Sequence, residues 1–479
     1  MTYPDLNMLI AGQWRKGSEN TGEEVINPAT GTPLAILPHA SSTDLDEALD
    51  AAQTGFETWR RIQPHERAEI LRRAANLLRE RREHIATILT LEQGKTITEA
   101  RAEVSSAADY TEWFAEEGRR SYGRIIASRE SETEYQVRKH PVGVSLSMTP
   151  WNFPINTPSR KIAAGLAAGC AIIAKAAEET PASAVEYVRA IHDAGVPAGA
   201  IQLVFGVPDQ VSRHLMASPV IRKVSFTGSI PVGKHIAALA AGNMQRATME
   251  LGGHAPVVVF DDIDLDRVLD VAIEGKLRNA GQVCVSPTRF YVQENVYNAF
   301  VEGFVSRAKA RRIGNGLEAA TQMGPLANTR RLDAMDTFVA DAEKSGARIL
   351  TGGARQGNEG FYYPPTVIAD APDSSMVMTE EPFGPIAPIT SFTDIDDVCS
   401  RANALQFGLA GYAFTQSLSR AREISERLET GMIGLNTCTI SLPETPFAGC
   451  KESGYGIEGA SEGLEPYLVT RTTGQRMAA

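Results

Sequence analysis

A cysteine and a glutamate, each close to glycine, are the residues of this chain best suited to covalent chemistry at a carbonyl carbon. Cys284 ends the run Asn279-Ala280-Gly281-Gln282-Val283-Cys284, whose glycine predicts a turn with exposed backbone amides. A thiol attacks as its thiolate, so it needs a base or local donors. Glu250 stands in Met249-Glu250-Leu251-Gly252-Gly253, between apolar residues. Burial there would raise its pKa toward working pH, which suits a general base. Taken singly, a packing cysteine and a turn glutamate remain open readings of the same residues.

Two further runs suit a nucleotide. Ser225-Phe226-Thr227-Gly228-Ser229-Ile230-Pro231-Val232-Gly233 follows an apolar run and opens a helical one. A helix N-terminus presents unpaired N–H groups to phosphate, and Ser229 adds a hydroxyl donor. Lys175 closes Ala171-Ile172-Ile173-Ala174-Lys175, with Glu178 three residues later. At the carboxyl end of a parallel strand, both would face the crevice where nucleotides bind. A carboxylate there accepts hydrogen bonds from both ribose hydroxyls and repels a 2′-phosphate. An ordinary strand-turn-helix and a surface lysine are the plainer alternatives.

Other signatures are misleading or missing. Gly454-Tyr455-Gly456-Ile457-Glu458-Gly459 is a literal GxGxxG, but only 20 residues follow it. No βαβ unit fits in that length, so a flexible glycine-rich loop is expected. The eight histidines are scattered, without HExxH or a Cys/His cluster of zinc spacing, so no metal is expected. A GxSxG nucleophile elbow is also missing.

The elements that must hold these residues are readable in outline. Ser42-Thr43 is placed to cap a helix through Asp44 to Trp59, and Pro64 opens a second with Leu71, Ala74, Ala75 and Leu78 on one face. A third helix follows Gly94 and Lys95. The alternating stretch 134–140 reads as a strand. From residue 142 short apolar runs alternate with helical stretches, which predicts βαβ units and a parallel sheet covered on both faces. After 257–260 a second α/β series begins. Pro466 to Thr473 again alternates, and is the natural partner of 134–140 or of the same element in another subunit.

With 479 residues, two large domains are expected. The net charge of -11 argues against a nucleic-acid partner. The basic run Arg72, Arg73, Arg79, Arg81, Arg82 is interleaved with Glu80 and Glu83 and reads as a solvated face. Cys170, Cys284, Cys399, Cys438 and Cys450 are odd in number and widely spaced, as free thiols in a reducing compartment would be. No signal peptide is evident, and no apolar stretch approaches the roughly 18–20 residues of a membrane span, so no membrane partner and a cytoplasmic location are expected.

In their joint order the motifs say more than they do singly. Trp151-Asn152-Phe153-Pro154, Lys175, Phe226-Thr227-Gly228-Ser229, Glu250-Leu251-Gly252-Gly253, Gly281-Gln282-Val283-Cys284, Glu381-Pro382-Phe383-Gly384-Pro385 and Pro446-Phe447-Ala448-Gly449 closely resemble the NAD(P)-dependent aldehyde dehydrogenase superfamily over nearly the whole chain. The resemblance implies an α/β fold with a Rossmann-type cofactor domain (1–122 and 142–252) and an α/β catalytic domain (253–460). It also implies a small β oligomerisation element (123–141 and 461–479), and hence a homodimer or homotetramer. It makes Cys284 the nucleophile, Glu250 the base, and Asn152 a donor to the substrate oxygen together with the backbone N–H of Cys284. Lys175 and Glu178 would hold the adenosine ribose. Gly228, Ser229 and Gly233 would frame the pyrophosphate turn, and Glu381 would hold the nicotinamide ribose with Phe383 packed beside it. Trp151 and Leu251 belong to the same cofactor surface.

Within the superfamily the chain is most similar to succinate-semialdehyde dehydrogenases, through Leu91-Glu92-Gln93-Gly94-Lys95, Glu112-Trp113-Phe114-Ala115-Glu116-Glu117 and Ser159-Arg160-Lys161. Arg160, Arg278 and Ser441 match positions where that subfamily binds the distal carboxylate. Two guanidinium groups at one end of a pocket imply an anionic tail on the aldehyde, with pairing of either arginine to a protein carboxylate as the alternative. Glu178, where the subfamily often has serine, implies NAD over NADP. Ser286 stands where some relatives carry a second cysteine, so no redox disulfide is expected there. Alanine at 448 and isoleucine at 457 depart from the usual pattern, and Pro443 and Pro446 stiffen the substrate loop. They leave glutarate semialdehyde, another ω-oxo acid or a sulfonated aldehyde open as substrates. A CoA-acylating enzyme and a non-enzymatic protein of the same fold are the competing readings, against which the intact Glu250, and Cys284 with Asn152, respectively argue.

Overall fold

Residues 3–19 and 21–476 are described by the computed structural model. The short Val-, Ile- and Ala-rich runs form strands buried on both faces, as an apolar run of this length demands when helices cover it. Eight strands make the first sheet. From one edge they are Gly454–Tyr455, Arg246–Glu250, Ile221–Thr227, Val144–Met148, Ala171–Lys175, Ile201–Val204, Met8–Ile10 and Gln13–Arg15. The five from Arg246–Glu250 to Ile201–Val204 are parallel, and the strands outside them are antiparallel to their neighbours.

The second sheet has seven strands, ordered Arg348–Thr351, Thr366–Ala369, Ile386–Phe392, Pro287–Gln293, Ala255–Val259, Ala410–Phe414 and Met432–Leu435. Only its first strand is antiparallel. Each sheet has its own apolar core. One is built from residues 6–251 with Leu464, Tyr467 and Leu468 returning to it. The other is built from residues 255–447. The strand Gly454–Tyr455 therefore crosses back to the first sheet, although it lies within the stretch 253–460 assigned to the second half.

From residue 142 helices alternate with the strands as expected, for instance Asn156–Ala168, Pro181–Asp193 and Leu265–Leu277, and the first half differs in two places. The first helix, Ser42–Trp59, is capped by Ser41 rather than by Ser42-Thr43. The Ser41 hydroxyl accepts from the Asp44 N–H at 3.2 Å and the Asp44 carboxylate accepts from the Ser41 N–H at 2.9 Å, a reciprocal capping box. A separate helix, Arg82–Gln93, lies between those starting at Pro64 and Ile97. Of the basic run, Arg72, Arg79, Arg81 and Arg82 all pair with carboxylates at the surface.

The two late-assigned strands pair within one chain. Leu468–Arg476 runs antiparallel to Thr133–Pro141, with Arg124–Ala127 on the other side. Among the described residues no helix is long and apolar enough to cross a membrane. Among the same residues no group of three His, Cys, Asp or Glu side chains could hold a metal ion.

Candidate active site

The carboxyl edge of the first sheet faces the loops that lead into the second. At that edge Met148 lies opposite Lys175 and Phe226, and Thr227 lies opposite Glu250. Cys284 comes just before the strand Pro287–Gln293, and Glu381 to Pro385 just before Ile386–Phe392. Those two strands are parallel neighbours, so their leading loops lie side by side. Gly281 is the point of contact. Its φ is +74°, and a β-carbon there would overlap the carbonyl of Gly384. The preceding Asn279 and Ala280 also have positive φ, 50° and 53°.

This turn is buried rather than exposed, which corrects the sequence expectation. Its strained backbone is held from several sides. The Asn279 N–H donates to Glu99 at 2.7 Å, and the Gln282 amide donates to the Asn279 carbonyl at 3.0 Å. The Ala327 N–H donates to the Gln282 side chain at 3.0 Å. The glycines after Glu250 also serve close approach. A β-carbon at Gly252 would sit 2.5 Å from a Glu381 carboxylate oxygen, and one at Gly253 would sit 2.7 Å from the Cys284 carbonyl.

Cys284, Asn152, Arg160, Arg278 and Ser441 line one cavity of about 260 Å³. Thr227, Glu458, Phe153, Phe447 and Val283 complete much of its wall. The Asn152 side-chain amide is buried, donating to the Gln282 carbonyl at 3.1 Å, while its oxygen has no partner. Arg160 is stacked between the rings of Tyr110, at 4.8 Å, and Phe447, at 4.4 Å. It donates to the Ser441 hydroxyl at 2.7 Å, and its buried Nε has no partner. Arg278 lies over the Phe153 ring at 5.3 Å. Among the described residues neither arginine makes an ion pair with a protein carboxylate.

The electrostatics are those of a nearly dry site. Burial pushes the Cys284 thiol up to about 12, Glu381 and Glu250 add to the rise, and Arg160 and Arg278 oppose it. Burial also raises Glu250 well above the ordinary carboxylate range, reinforced by Glu458 and opposed by Lys161 and Arg160. Both Glu250 oxygens are buried without a partner. Glu458 accepts from buried Lys161 and, at 3.0 Å, from Ser225.

A second cavity of about 990 Å³ adjoins the first and is lined by Trp151, Lys175, Glu178, Gly228 and Ser229. Lys175 and Glu178 form an ion pair at its wall. Ser229 is the N-cap of the helix Ile230–Gly242, yet its side chain makes no cap hydrogen bond. Gly233 and Leu251 pack against each other beneath this turn rather than lining the cavity. Glu381 and Phe383 also lie outside its lining. Phe383, at a positive φ of 47°, meets Trp151 edge-on with ring centroids 5.5 Å apart. Glu381 is pushed up to about 8 by burial, against the Gly253 N–H and the charges of Arg331 and Lys276, and one of its oxygens lacks a partner.

The residues that sequence reading missed are Tyr110, Glu458 and the Lys95–Glu103 pair. Tyr110 falls in the apolar stripe of the helix Ile97–Gly118 and is indistinguishable there from core packing. Glu458 lies inside the discounted GxGxxG run.

The aldehyde dehydrogenase family profile matches residues 14–473. This chain belongs to the aldehyde dehydrogenase family. Like other members it is an enzyme of the NAD(P)-dependent oxidoreductase class. This aldehyde dehydrogenase is 47% identical to a 4-(hydroxymethyl)benzenesulfonate dehydrogenase of Comamonas testosteroni, over 97% of each chain. It is 41% identical to the NADP-dependent succinate-semialdehyde dehydrogenase of Escherichia coli, over 96% of this chain and 95% of the other. The crystal structure of a succinate-semialdehyde dehydrogenase from Burkholderia pseudomallei is 39% identical, with a TM-score of 0.97 over 99% of this chain and 98% of that one.

Proposed function

We propose that this enzyme oxidises an aldehyde carrying a terminal anion, with succinate semialdehyde as the type substrate, to the corresponding acid. The observation that carries the reading is a pair of guanidinium groups without carboxylate partners, Arg160 and Arg278, in the cavity that holds Cys284. Arg160 is partly buried with an Nε that lacks a partner, Arg278 is more exposed, and a substrate carboxylate or sulfonate would give both charge-assisted hydrogen bonds. Ser441 adds a hydroxyl to the same end. The names of the relatives, an aryl sulfonate and a semialdehyde, agree with an anionic tail.

In the proposed reaction the Cys284 sulfur bonds to the carbonyl carbon, and its proton passes to a base. Asn152 and the Cys284 N–H stabilise the oxyanion of the resulting thiohemiacetal. A dinucleotide suits the larger cavity, where an uncapped helix N-terminus and Lys175 offer partners for phosphate and ribose, and when bound it supplies the hydride acceptor; the orphaned Glu381 oxygen, outside that lining, is the partner proposed for the nicotinamide ribose. Loss of hydride leaves a thioester on Cys284. Glu250 takes a proton from water, hydroxide adds to the thioester, and the acid departs as the thiol is restored. The sum is aldehyde, water and oxidised dinucleotide giving acid, reduced dinucleotide and a proton.

The carboxylate of Glu178 at the ribose end favours NAD over NADP by repelling a 2′-phosphate. The same reading divides the chain into cofactor (1–122 and 142–252), catalytic (253–460) and oligomerisation (123–141 and 461–479) parts. It makes the three-stranded sheet the seam of a homodimer or homotetramer. Exposed Tyr122, Ile125 and Ile126 on or beside that sheet support it.

The test is a steady-state screen of aldehydes with and without a terminal carboxylate or sulfonate, each with NAD and with NADP, and with CoA added in parallel. Preference for anionic tails, NAD and free acid as product is expected. Equal kcat/KM for neutral aldehydes, or a CoA thioester as product, would refute the proposal.

A further inference from the structure

The run Leu91-Glu92-Gln93-Gly94-Lys95 has no part in the chemistry above, yet its lysine ends beside Asn152. Lys95 and Glu103 are both buried in the wall of the Cys284 cavity, with side chains 1% and 2% exposed, and pair at 2.5 Å. The Lys95 ammonium also donates to the Asn152 backbone carbonyl at 2.8 Å and lies over the Phe153 ring at 4.1 Å. The Asn279 side chain donates to the same carbonyl at 2.9 Å. The other Glu103 oxygen accepts from the N–H groups of Ile155 and Asn156, at 3.0 and 3.2 Å. The loop from Asn152 to Asn156 is thus gripped at both ends by one buried ion pair.

A buried ion pair gains little net stability, because desolvation offsets most of the attraction. Stability alone therefore does not account for this pair. We infer that Lys95 and Glu103 are positioning residues that preset the Asn152 amide toward the oxyanion formed at Cys284. The geometry is asymmetric in a way that supports this. Every donor and acceptor of the pair that leaves the pair goes to the backbone of 152–156, the segment between the strand Val144–Met148 and the helix that carries Arg160. Without the ammonium, the Asn152 carbonyl keeps a single donor and the loop is free to rotate. A displacement of about 1 Å at such a donor costs roughly 10²-fold in rate.

This inference rests on the role proposed for Asn152, and the experiment separates the two. Lys95→Met, Lys95→Met/Glu103→Gln, Asn152→Ala and Lys95→Met/Asn152→Ala are compared by single-turnover NADH formation, aldehyde KM and the rate of Cys284 alkylation by iodoacetamide. Lys95→Met is expected to slow hydride transfer roughly 10²-fold while KM and alkylation stay within about threefold. In the Asn152→Ala background the same substitution should change the rate less than about threefold, because it acts through Asn152. The charge-neutral Lys95→Met/Glu103→Gln variant leaves no lone carboxylate buried, so it should fold and be equally slow. If Asn152→Ala itself is fast, the oxyanion reading fails. If Asn152→Ala is slow but Lys95→Met is fast, or the two losses multiply, the positioning role is overturned. Failure of both Lys95 variants to fold would overturn it too, in favour of a purely structural pair.

Discussion

Cys284 lies where burial alone would make it a poor nucleophile, and the charges around it pull in opposite directions. Glu250 shares that environment, and its raised pKa fixes a sign for the pH dependence. Below its pKa the carboxyl is protonated and cannot take a proton from water. Turnover limited by thioester hydrolysis should therefore rise with pH through the Glu250 titration. Glu250→Gln should retain a burst of one NADH per site, lose roughly 10²–10⁴-fold in subsequent turnover, and show a flat profile over that range. Stopped-flow absorbance across pH 5 to 9 measures both. Arg278 carries the second prediction at this scale. A lost hydrogen bond to a charged group costs about 1.5–3 kcal/mol, so Arg278→Ala should raise KM for succinate semialdehyde roughly 10- to 100-fold. A neutral aliphatic aldehyde should be little affected, and equal changes for the two substrates would discard the carboxylate role. That Cys284 and Asn152 share one cavity was legible because each stands in a motif of fixed order. Tyr110 was not, because a ring on the apolar face of a helix looks the same whether it packs a core or stacks on an arginine.

At the scale of elements, the turn Asn279-Ala280-Gly281 shows what local rules can and cannot supply. The glycine was read as a turn, but three consecutive residues in the left-handed region could not be foreseen. Two of them are not glycine, and only the surrounding hydrogen bonds keep them there. Gly281→Ala adds a β-carbon where the Gly384 carbonyl already lies. It should destabilise the fold by at least roughly 1–3 kcal/mol and separate the Cys284 loop from the Glu381 loop, lowering kcat as well as Tm. Differential scanning calorimetry with parallel kinetics checks it, and an unchanged kcat would break the proposed link between the two loops. The strands Val144–Met148, Ala171–Lys175, Ile201–Val204 and Ile221–Thr227 were legible as short apolar runs between helical stretches, whereas Arg246–Glu250 was not foreseen as a strand. The N-terminal strands Met8–Ile10 and Gln13–Arg15 have three residues each, too few for a period to register. The cap at Ser41 was displaced by one position because three adjacent residues can all cap, and only Asp44 at the third helical position selects among them.

For the whole molecule, two sheets with separate cores meet along the site, and buried carboxyls collect at the meeting line. Glu381 titrates near 8 in the folded chain, against an ordinary value of 4.5. Between those values the folded state keeps a proton that the unfolded chain has released. Stability from this group is fully present below about 4.5 and is lost as pH rises toward about 8. The thermal midpoint of the protein without ligands should fall across that window. Glu381→Gln should flatten this decline, and a decline of the same size in that variant would exclude Glu381 as its source. The two-sheet organisation was legible from the double α/β series, whereas the return of Gly454–Tyr455 to the first sheet was not. A two-residue strand carries no sequence period, and only the partner strand Arg246–Glu250 defines it.

Thr227 lines both the smaller and the larger cavity, and its hydroxyl is buried without a partner. One side chain thus forms a common wall between two chambers. Whatever fills one chamber alters the surroundings of the other, and thermodynamic reciprocity requires the two ligands to change each other's affinity by the same factor. Threonine to valine at that wall, keeping shape and removing the hydroxyl, would therefore be felt by both occupants together.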